Sequence, residues 1–198
     1  MDERKCVDHD GKISRMSVET IASQKHALRK QVLANRAHGH DCGHAHSQLL
    51  IDYAWEQKAK TVACYLSFGD EPSTNVFVKH CLLGEKTELY APRISGDDLD
   101  WVLMGEDQAT HPLGMKEPVG DTSNLLEVDL MVIPALAVDR FGNRLGRGKG
   151  FYDRALKKIS AKKIVVLVHD DELMEQVPTE GHDVSVHAIC TCSEIIEL

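Results

Sequence analysis

The sequence has no hydrophobic stretch long enough to cross a membrane, because none of its apolar runs approaches the ~20 residues that a spanning helix requires. Its first residues, MDERKCVDHDGKIS, lack the apolar core of a secretory signal peptide, which favours a cytoplasmic location. Basic residues number 23 against 31 acidic ones, and the formal net charge is −8. This acidic balance argues against binding to nucleic acid or to membrane surfaces.

The cysteines do not form a recognisable framework. The six are scattered along the chain without a secretory signal, so we expect no network of disulfides. Cys190 and Cys192 are separated by one residue, and on a strand they would point to the same face. We interpret these two cysteines as small, buried, apolar side chains.

The order of apolar and polar segments predicts a single layered α/β domain. No internal repeat or low-complexity linker divides the 198 residues. We expect residues 1–16 to form a flexible tail and residues 17–198 to form the domain. Strands that alternate with helices predict a mainly parallel central sheet flanked by helices. The most apolar run, VDLMVIPALAV, predicts a buried central strand.

Capping residues and breakers set the expected bounds of the other elements. Ser17 can cap the first helix, which carries residues 18–36, and Ser73 or Thr74 can start a helix that ends at Leu83. Further helices are predicted at 47–57, 151–159 and 171–178. Further strands are predicted at 60–68, 87–94, 99–104, 162–169 and 184–192. Residues 105–123 are predicted to be mostly loop, because prolines and glycines interrupt them.

The stretch DRFGNRLGRGKGFYDR, residues 139–154, predicts a phosphate-binding loop. It combines four glycines with five basic residues directly after the most apolar run. Glycine-rich turns and helix N-termini present free backbone N–H groups to an anion, while Arg144, Arg147 and Lys149 would add charge. The loop is not a P-loop, because Lys149 is followed by Gly150 rather than by Ser or Thr. A plain flexible loop is the alternative interpretation.

Charged residues elsewhere would complete such a site. Lys25 and Arg29 lie four residues apart and project from one face of the first helix, where a solvated basic stripe is the alternative. Asp153 stands just inside the helix after the loop, where it would favour the helix dipole or serve as a ligand for Mg²⁺. Asp183, before the last predicted strand, is a candidate second ligand.

Several blocks of the sequence resemble the 5-formyltetrahydrofolate cyclo-ligase family, also called methenyltetrahydrofolate synthetases. The central block MVIPALAVDRFGNRLGRGKGFYDR resembles the family signature, which runs from a strand through a glycine-rich loop into a helix. KHALRKQVLANR is similar to the family's first helix with its K-x-x-x-R pair. Further similar blocks follow in the family's order: YLSFGDEPSTN, LYAPRI, GMKEP and VPTEGHDVSVHAI. The resemblance covers roughly residues 20 to 192.

This resemblance implies a function and a fold. The function is the ATP- and Mg²⁺-dependent closure of 5-formyltetrahydrofolate to 5,10-methenyltetrahydrofolate, in which the formyl oxygen is phosphorylated and ADP and phosphate are released. The fold is similar to that of phosphosugar isomerases and coenzyme A transferases. Because fold does not determine function, a paralogue with the same nucleotide loop and another substrate is the alternative. The expected partners are small molecules, and the chain is expected to be a monomer.

The resemblance also assigns roles to residues. The catalytic residues would be Arg144, Lys149 and Tyr152. The nucleotide would be held by Lys25, Arg29, Arg144, Leu145, Gly146, Arg147, Gly148, Lys149, Gly150, Phe151, Tyr152 and Asp153. The folate would contact Leu66, Phe68, Glu71, Arg93 and Tyr152. Mg²⁺ would be held by Asp153 and Asp183.

A histidine-rich loop suggests a function of a different class. The stretch HGHDCGHAH contains five possible zinc ligands: His38, His40, Cys42, His44 and His46. Structural zinc sites usually join two spaced pairs of ligands on ordered elements, whereas these residues lie in one loop between predicted helices. We therefore expect adventitious binding or none, and a metal-binding module is the alternative.

Overall fold

An eight-stranded sheet forms the centre of the protein. The computed structural model describes residues 6–7 and 13–14 (backbone only), 20–39, 42, 44–84, 86–112, 114–180 and 184–198. The strands are β1 Cys6–Val7, β2 Ile13–Ser14, β3 Thr61–Cys64, β4 Glu88–Ser95, β5 Asp98–Leu103, β6 Gln108–Thr110, β7 Lys116–Pro118, β8 Thr122–Ser123, β9 Glu127–Pro134, β10 Ala137–Asp139, β11 Arg144–Leu145, β12 Ser160–Leu167, β13 Leu173–Met174, β14 Ala188–Cys190 and β15 Ile195–Glu197. The helices are α1 Ile21–Arg36, α2 Ala45–Glu56, α3 Asn75–Leu83 and α4 Phe151–Lys158.

The central sheet is parallel in its middle and antiparallel at its edges. The strand order is β15-β14-β12-β9-β3-β4-β5-β8. The pairs from β14 through β12, β9 and β3 to β4 are parallel, whereas β15, β5 and β8 add antiparallel edges. The predicted α/β fold with a mainly parallel sheet is therefore confirmed. Within the described ranges, no helix combines the length and apolar character that crossing a bilayer requires.

Strand β9 is buried on both faces, which explains its apolar sequence. Leu130 and Val132 face the core that α2 and α3 cover, whereas Met131 and Ile133 face the core beside α4. This alternation follows from the two-residue period of a strand, and helices on both sides make every position from 130 to 133 apolar. The sheet is thus the middle layer of three.

The predicted central strand at residues 128–138 is in fact two strands in two sheets. Strand β9 of the central sheet ends at Pro134. The next strand, β10, belongs to a separate small sheet with the order β11-β10-β13. Leu136, Leu145 and Val177 of this region pack against Val32 of α1 in a third apolar cluster. This packing brings α1 against the glycine loop that follows β11.

Some local expectations were wrong because tertiary contacts override local propensity. Most of the helix predicted at 171–178 is absent: a 3₁₀ turn, Asp170–Glu172, leads into β13, which pairs with β10. The region 105–123 contains the β6–β7 hairpin, although most of its described residues lie outside strands, as predicted. Helix α1 begins at Ile21, and Thr20 caps it by accepting a hydrogen bond from the backbone N–H of Ser23 at 3.2 Å. Ser17 lies outside the described residues.

Among the cysteines whose side chains the structure describes, all except one pair are free thiols. Cys64, Cys81 and Cys190 are buried, as was predicted for Cys190. Cys42 and Cys192, by contrast, are joined in this structure, and their Cα atoms are 5.4 Å apart. The short strands β1 and β2 pair with each other within residues 1–16, and the flexible tail proposed for this segment stays a prediction.

Candidate functional site

A cleft of about 680 Å³ opens beside the carboxyl ends of β3, β4 and β9. This volume lies within the range of small-molecule sites, and the location is the one at which α/β sheets bind ligands. One wall is the glycine loop, Gly146–Gly150, with the start of α4. The opposite wall comes from the segment after β3, from β4 and from residues 115–117, and α1 closes one end.

The glycine loop has a backbone that other residues would adopt only with strain. Gly148 has φ of 96°, and Gly150, the residue that caps α4, has φ of 69°. Both angles lie in the left-handed region that favours glycine. A Cβ atom at Gly148 would make only ordinary contact, at 3.5 Å, with the guanidinium group of Arg29, so the backbone angle rather than lack of space requires glycine there. These glycines therefore allow the turn after which the N-terminus of α4 faces the cleft.

Both basic residues predicted on α1 reach the cleft. Arg29 donates from Nε to the carbonyl oxygen of Gly146 at 2.9 Å, which links the helix directly to the glycine loop. Lys25 is largely buried, and its Nζ lies 3.0 Å from Oε2 of Glu180. Their four-residue spacing places both side chains on the same helical face. They are therefore part of the cleft wall rather than a solvated stripe.

An ion pair connects β11, the strand before the glycine loop, to α4. Nη2 of Arg144 lies 2.5 Å from Oδ1 of Asp153, and its Nη1 donates to the carbonyl oxygen of Val184. Arg144 is buried, whereas one third of the Asp153 side chain is exposed. The guanidinium group is thus held in one orientation at the cleft, and the carboxylate beside it remains open to a ligand. Asp183 lies outside the described residues.

A second ion pair crosses the cleft. Nε of Arg147, in the glycine loop, lies 3.2 Å from Oε1 of Glu71, in the segment after β3. The other carboxylate oxygen of Glu71 accepts a hydrogen bond from the backbone N–H of Phe68 at 3.2 Å. Arg147 is half exposed and Glu71 is mostly enclosed. The two walls of the cleft therefore meet through opposite charges.

The wall around Glu71 is otherwise apolar and aromatic. Leu66 is partly buried and Phe68 is exposed, and both line the cleft beside Tyr65 and Tyr152. The ring of Tyr152 packs against the cores on both sides of the sheet. Burial, and secondarily the negative charge of Glu71, hold the pKa of the Tyr152 hydroxyl well above its ordinary value. Tyr152 is therefore a neutral phenol at physiological pH.

The cleft is positively charged although the protein is acidic. Its lining contains six basic residues, namely Lys25, Arg29, Lys116, Arg144, Arg147 and Lys149, and four acidic ones, namely Glu71, Glu117, Asp153 and Glu180. Positive charge concentrated in a concave site attracts and orients anions. The loop composition and the Lys25–Arg29 pair predicted this charge, and the structure adds Lys116 to it.

One predicted contact does not reach the cleft, and others were missed. Pro92 and Ile94 of β4 line the cleft, but Arg93 points to the other face of the strand. Its guanidinium group donates to Gly120 and Thr122. Glu117 was missed: its Oε1 accepts a hydrogen bond from the backbone N–H of Ile94 at 2.9 Å. Only the GMKEP block pointed to this region.

The fold and the cleft together define a layered α/β protein with a glycine-lined, positively charged cleft at the carboxyl edge of its sheet. Residues 21–192 match the sequence model of the 5-formyltetrahydrofolate cyclo-ligase family. The chain belongs to this family, which confirms the resemblance in its motifs, and like its relatives it is an enzyme.

Individual relatives support the same assignment. The 5-formyltetrahydrofolate cyclo-ligase of Mycolicibacterium smegmatis is 34% identical over 142 residues, which are 67% of this chain and 73% of that protein. The enzyme of the same name from Escherichia coli K12 is 32% identical over 149 residues, covering 70% of this chain and 81% of that one. The NMR structure of the Aquifex aeolicus 5,10-methenyltetrahydrofolate synthetase has a TM-score of 0.74 and 28% identity, with 88% of this chain and 92% of that chain covered.

Proposed function

We propose that this enzyme closes 5-formyltetrahydrofolate to 5,10-methenyltetrahydrofolate with consumption of ATP, in the presence of Mg²⁺, and with release of ADP and phosphate. The relatives named above are cyclo-ligases and a synthetase for these compounds. The observation that carries the proposal is the division of the cleft into two chemically different halves. A cationic, glycine-lined half suits a triphosphate, and a largely apolar half that carries the Glu71 carboxylate suits a pterin.

The cationic half fits the polyphosphate of ATP. Arg29 and Lys25 approach from α1, while Arg147, Lys149 and the backbone N–H groups of the loop approach from the other side. Many converging donors suit a dense anion, and arginine can form paired hydrogen bonds to phosphate oxygens. The ion pairs of Lys25 with Glu180 and of Arg147 with Glu71 hold these cations in place before a ligand arrives.

The apolar half fits the pterin of the folate. Leu66 and Phe68 offer a flat apolar surface, and the carboxylate of Glu71 would accept hydrogen bonds from the N–H groups of the ring. Tyr152 lies between the two halves, where its neutral hydroxyl would contact the formyl group. Arg93 has no place in this arrangement, because the structure directs it away from the cleft.

The proposed reaction needs positive groups that neutralise the charge of the transferred phosphoryl group, at the place where the cationic and apolar halves of the cleft meet. The formyl oxygen attacks the γ-phosphorus of ATP and ADP leaves. The amine at position 10 then attacks the formyl carbon, and this amine loses a proton as phosphate departs with the former formyl oxygen. Arg144 and Lys149 would stabilise the charge that develops on the transferred group, since phosphoryl transfer depends mainly on positioning and electrostatics.

The residues at this junction also suit Mg²⁺. Mg²⁺ prefers oxygen ligands and is usually held by one or two carboxylates together with phosphate oxygens. The carboxylate of Asp153 is one third exposed beside the cleft, and Arg144 engages only its Oδ1. Mg²⁺ would neutralise part of the triphosphate charge there. Asp183 remains a predicted second ligand.

A direct assay tests the proposal. Purified enzyme is mixed with 5-formyltetrahydrofolate, ATP and Mg²⁺, and the absorbance of the methenyl product is followed. We expect product only when all three are present, and one ADP for each methenyl group formed. ATP hydrolysis without a methenyl product would instead support the paralogue with a different substrate. No product and no nucleotide binding would refute the function.

Glu71 should control the affinity for folate rather than for ATP. We expect Glu71→Gln to raise the KM for 5-formyltetrahydrofolate by about tenfold, because a hydrogen bond to a charged group contributes roughly 1.5 kcal/mol or more. The KM for ATP should change little. Arg147→Gln is the matched variant, and steady-state kinetics should show that it raises the KM for ATP instead. If both variants raise the same KM, Glu71 acts through the ion pair rather than on the folate.

The N-terminal segment should be dispensable. Only residues 6–7 and 13–14 of it are described, and they pair with each other in a two-stranded sheet. We expect an enzyme that lacks residues 1–12 to keep a kcat/KM near that of the full chain in the same assay. A large loss would mean that this segment contributes to the cleft.

The monomeric state and the cytoplasmic location also remain predictions, which light scattering and cell fractionation would test.

A further inference from the structure

Four potential metal ligands converge outside the cleft, behind the segment that carries Glu71. Cys42 precedes α2, His46 lies in its first turn, His169 follows β12, and Cys192 follows β14. Their ligand atoms all lie within 4.8 Å of one another. Three separate segments of the chain supply these side chains.

The distances between the nitrogen and sulfur atoms of this cluster match a tetrahedral site. Nδ1 of His169 lies 3.4 Å from Sγ of Cys42 and 3.9 Å from Sγ of Cys192. Nε2 of His46 lies 3.7 Å from Sγ of Cys192. Around a tetrahedral Zn²⁺, with bonds of about 2.3 Å to sulfur and about 2.0 Å to nitrogen, a sulfur and a nitrogen ligand are roughly 3.5 Å apart. The nitrogen and sulfur atoms are therefore spaced as ligands of one ion, whereas the sulfur atoms of Cys42 and Cys192, which are joined in this structure, must separate before both can bind it.

We propose that Cys42, His46, His169 and Cys192 form a structural zinc site. Zn²⁺ binds two thiolates and two neutral imidazoles, and the two thiol protons are released to solvent. The resulting centre has no net charge, which suits its surroundings because His46 and His169 are 2% and 5% exposed. Two cysteines and two histidines form one of the common closed sets of zinc ligands.

A backbone carbonyl group orients the imidazole of His169 for zinc binding, whereas the imidazole of His46 must give up a hydrogen bond to bind zinc. Nε2 of His169 lies 3.3 Å from the carbonyl oxygen of Asp70. A hydrogen bond there leaves Nδ1 unprotonated toward the sulfurs, which is the usual arrangement of a ligating histidine. Nε2 of His46 lies 2.9 Å from the carbonyl oxygen of Val168, and ligation by this atom replaces that hydrogen bond.

A zinc ion explains why all four side chains converge, whereas a disulfide explains the position of only two of them. The structure joins Cys42 and Cys192, but a disulfide involves only these two side chains. It gives no reason for two buried imidazoles to face the same sulfur atoms. Binding of Zn²⁺ to the two reduced thiols uses all four side chains and releases two protons without a change of oxidation state. If the Cys42–Cys192 bond has formed, a thiol reductant must break it before zinc can bind.

The zinc site would cross-link segments that are far apart in the sequence, on the side of the Glu71 segment that faces away from the cleft. It joins the α1–α2 connection to the carboxyl ends of β12 and β14, which are neighbours in the central sheet. Through His169 and Asp70 it also reaches the segment that carries Glu71. The ion supports the wall of the cleft without touching the substrate, so its role is structural.

Metal analysis of the full-length enzyme tests the site. The protein is purified without an affinity tag, under anaerobic and reducing conditions and without chelator, and its metals are quantified by mass spectrometry. We expect about one zinc per chain, in keeping with one set of four ligands. Co²⁺ added to the metal-free, reduced enzyme should give the visible absorption of a tetrahedral thiolate complex. Both measurements use the wild-type chain and need no variant.

Variants identify the ligands. Cys192→Ser and His169→Gln should each bind zinc much more weakly and lose the cobalt spectrum. Cys190→Ala and His44→Gln are matched controls outside the cluster, and they should keep both. A zinc-free wild-type enzyme in which peptide mapping finds Cys42 bonded to Cys192 would overturn the proposal in favour of a disulfide. Zinc retained unchanged in the ligand variants would overturn it as well.

Discussion

Replacing Arg144 with alanine should lower kcat/KM for ring closure by about tenfold or more, which corresponds to about 1.4 kcal/mol of transition-state stabilisation. The reason is that Arg144 is buried and held by Val184 and Asp153, so its guanidinium group is positioned before the substrates bind. Asp153→Ala should cause a loss of at least similar size. Stopped-flow or steady-state measurement of methenyl absorbance gives both values.

Asp153→Asn separates the two roles of this carboxylate. If Asp153 ligates Mg²⁺, the variant should need a higher Mg²⁺ concentration to reach half of its maximal rate. If Asp153 only orients Arg144, the rate should fall at an unchanged Mg²⁺ requirement. Lys157→Ala, an exposed position on the same helix, is the control and should behave like the wild type. Wild-type rates in both alanine variants would refute the role assigned to the glycine loop.

Replacing Glu172 with glutamine should reduce the free energy of unfolding by about 3 kcal/mol, because removal of one charge from a buried ion pair leaves the other charge uncompensated. Arg36 and Glu172 are 1% and 2% exposed at their side chains, and their closest contact is 2.6 Å. Arg36 also donates to the carbonyl oxygen of Ala135 at 2.7 Å. The pair thus holds α1 against the end of β9. Urea denaturation measures the change.

A double variant shows whether the cost arises from the unpaired charge. Arg36→Met combined with Glu172→Leu removes both charges and should be more stable than Glu172→Gln alone. Lys163→Gln disrupts a more exposed ion pair, with Glu197, and should change the denaturation midpoint little. Because Glu172 lies close to His169, the zinc content of each variant should be measured in parallel. A wild-type midpoint for Glu172→Gln would contradict the prediction.

Much of the cleft could be predicted because its signals are local. The glycines and basic residues of residues 144–150 are contiguous, and the four-residue spacing of Lys25 and Arg29 needs only a helix. Both features lie on the cleft as expected. The role of Arg93 could not be judged in the same way, because the face of a strand that borders a ligand depends on its neighbours. The structure directs Arg93 toward Gly120 and Thr122.

The proposed zinc ligands show the opposite case. The histidine-rich loop suggested metal binding, but of its described residues only Cys42 and His46 join the cluster. His38 instead contacts the carbonyl oxygen of Ala34, and His40 lies outside the described residues. Cys192 was interpreted as a buried apolar residue, because Cys42, His46 and His169 are far from it in the sequence and no spacing pattern connects them. No sequence motif indicated that His169 could bind a metal.

The sequence by itself determined the family, the α/β class, the buried central strand and the charged glycine loop, since periodicity, composition and a long motif operate over short stretches of chain. Only the tertiary structure decided that β10 leaves the central sheet, that Glu71 faces Arg147 across the cleft, and that four cysteine and histidine side chains meet behind it. The physical reason is that such contacts depend on the order in which strands pair and on which face of each strand is covered. Residues far apart in the chain become neighbours only through that order.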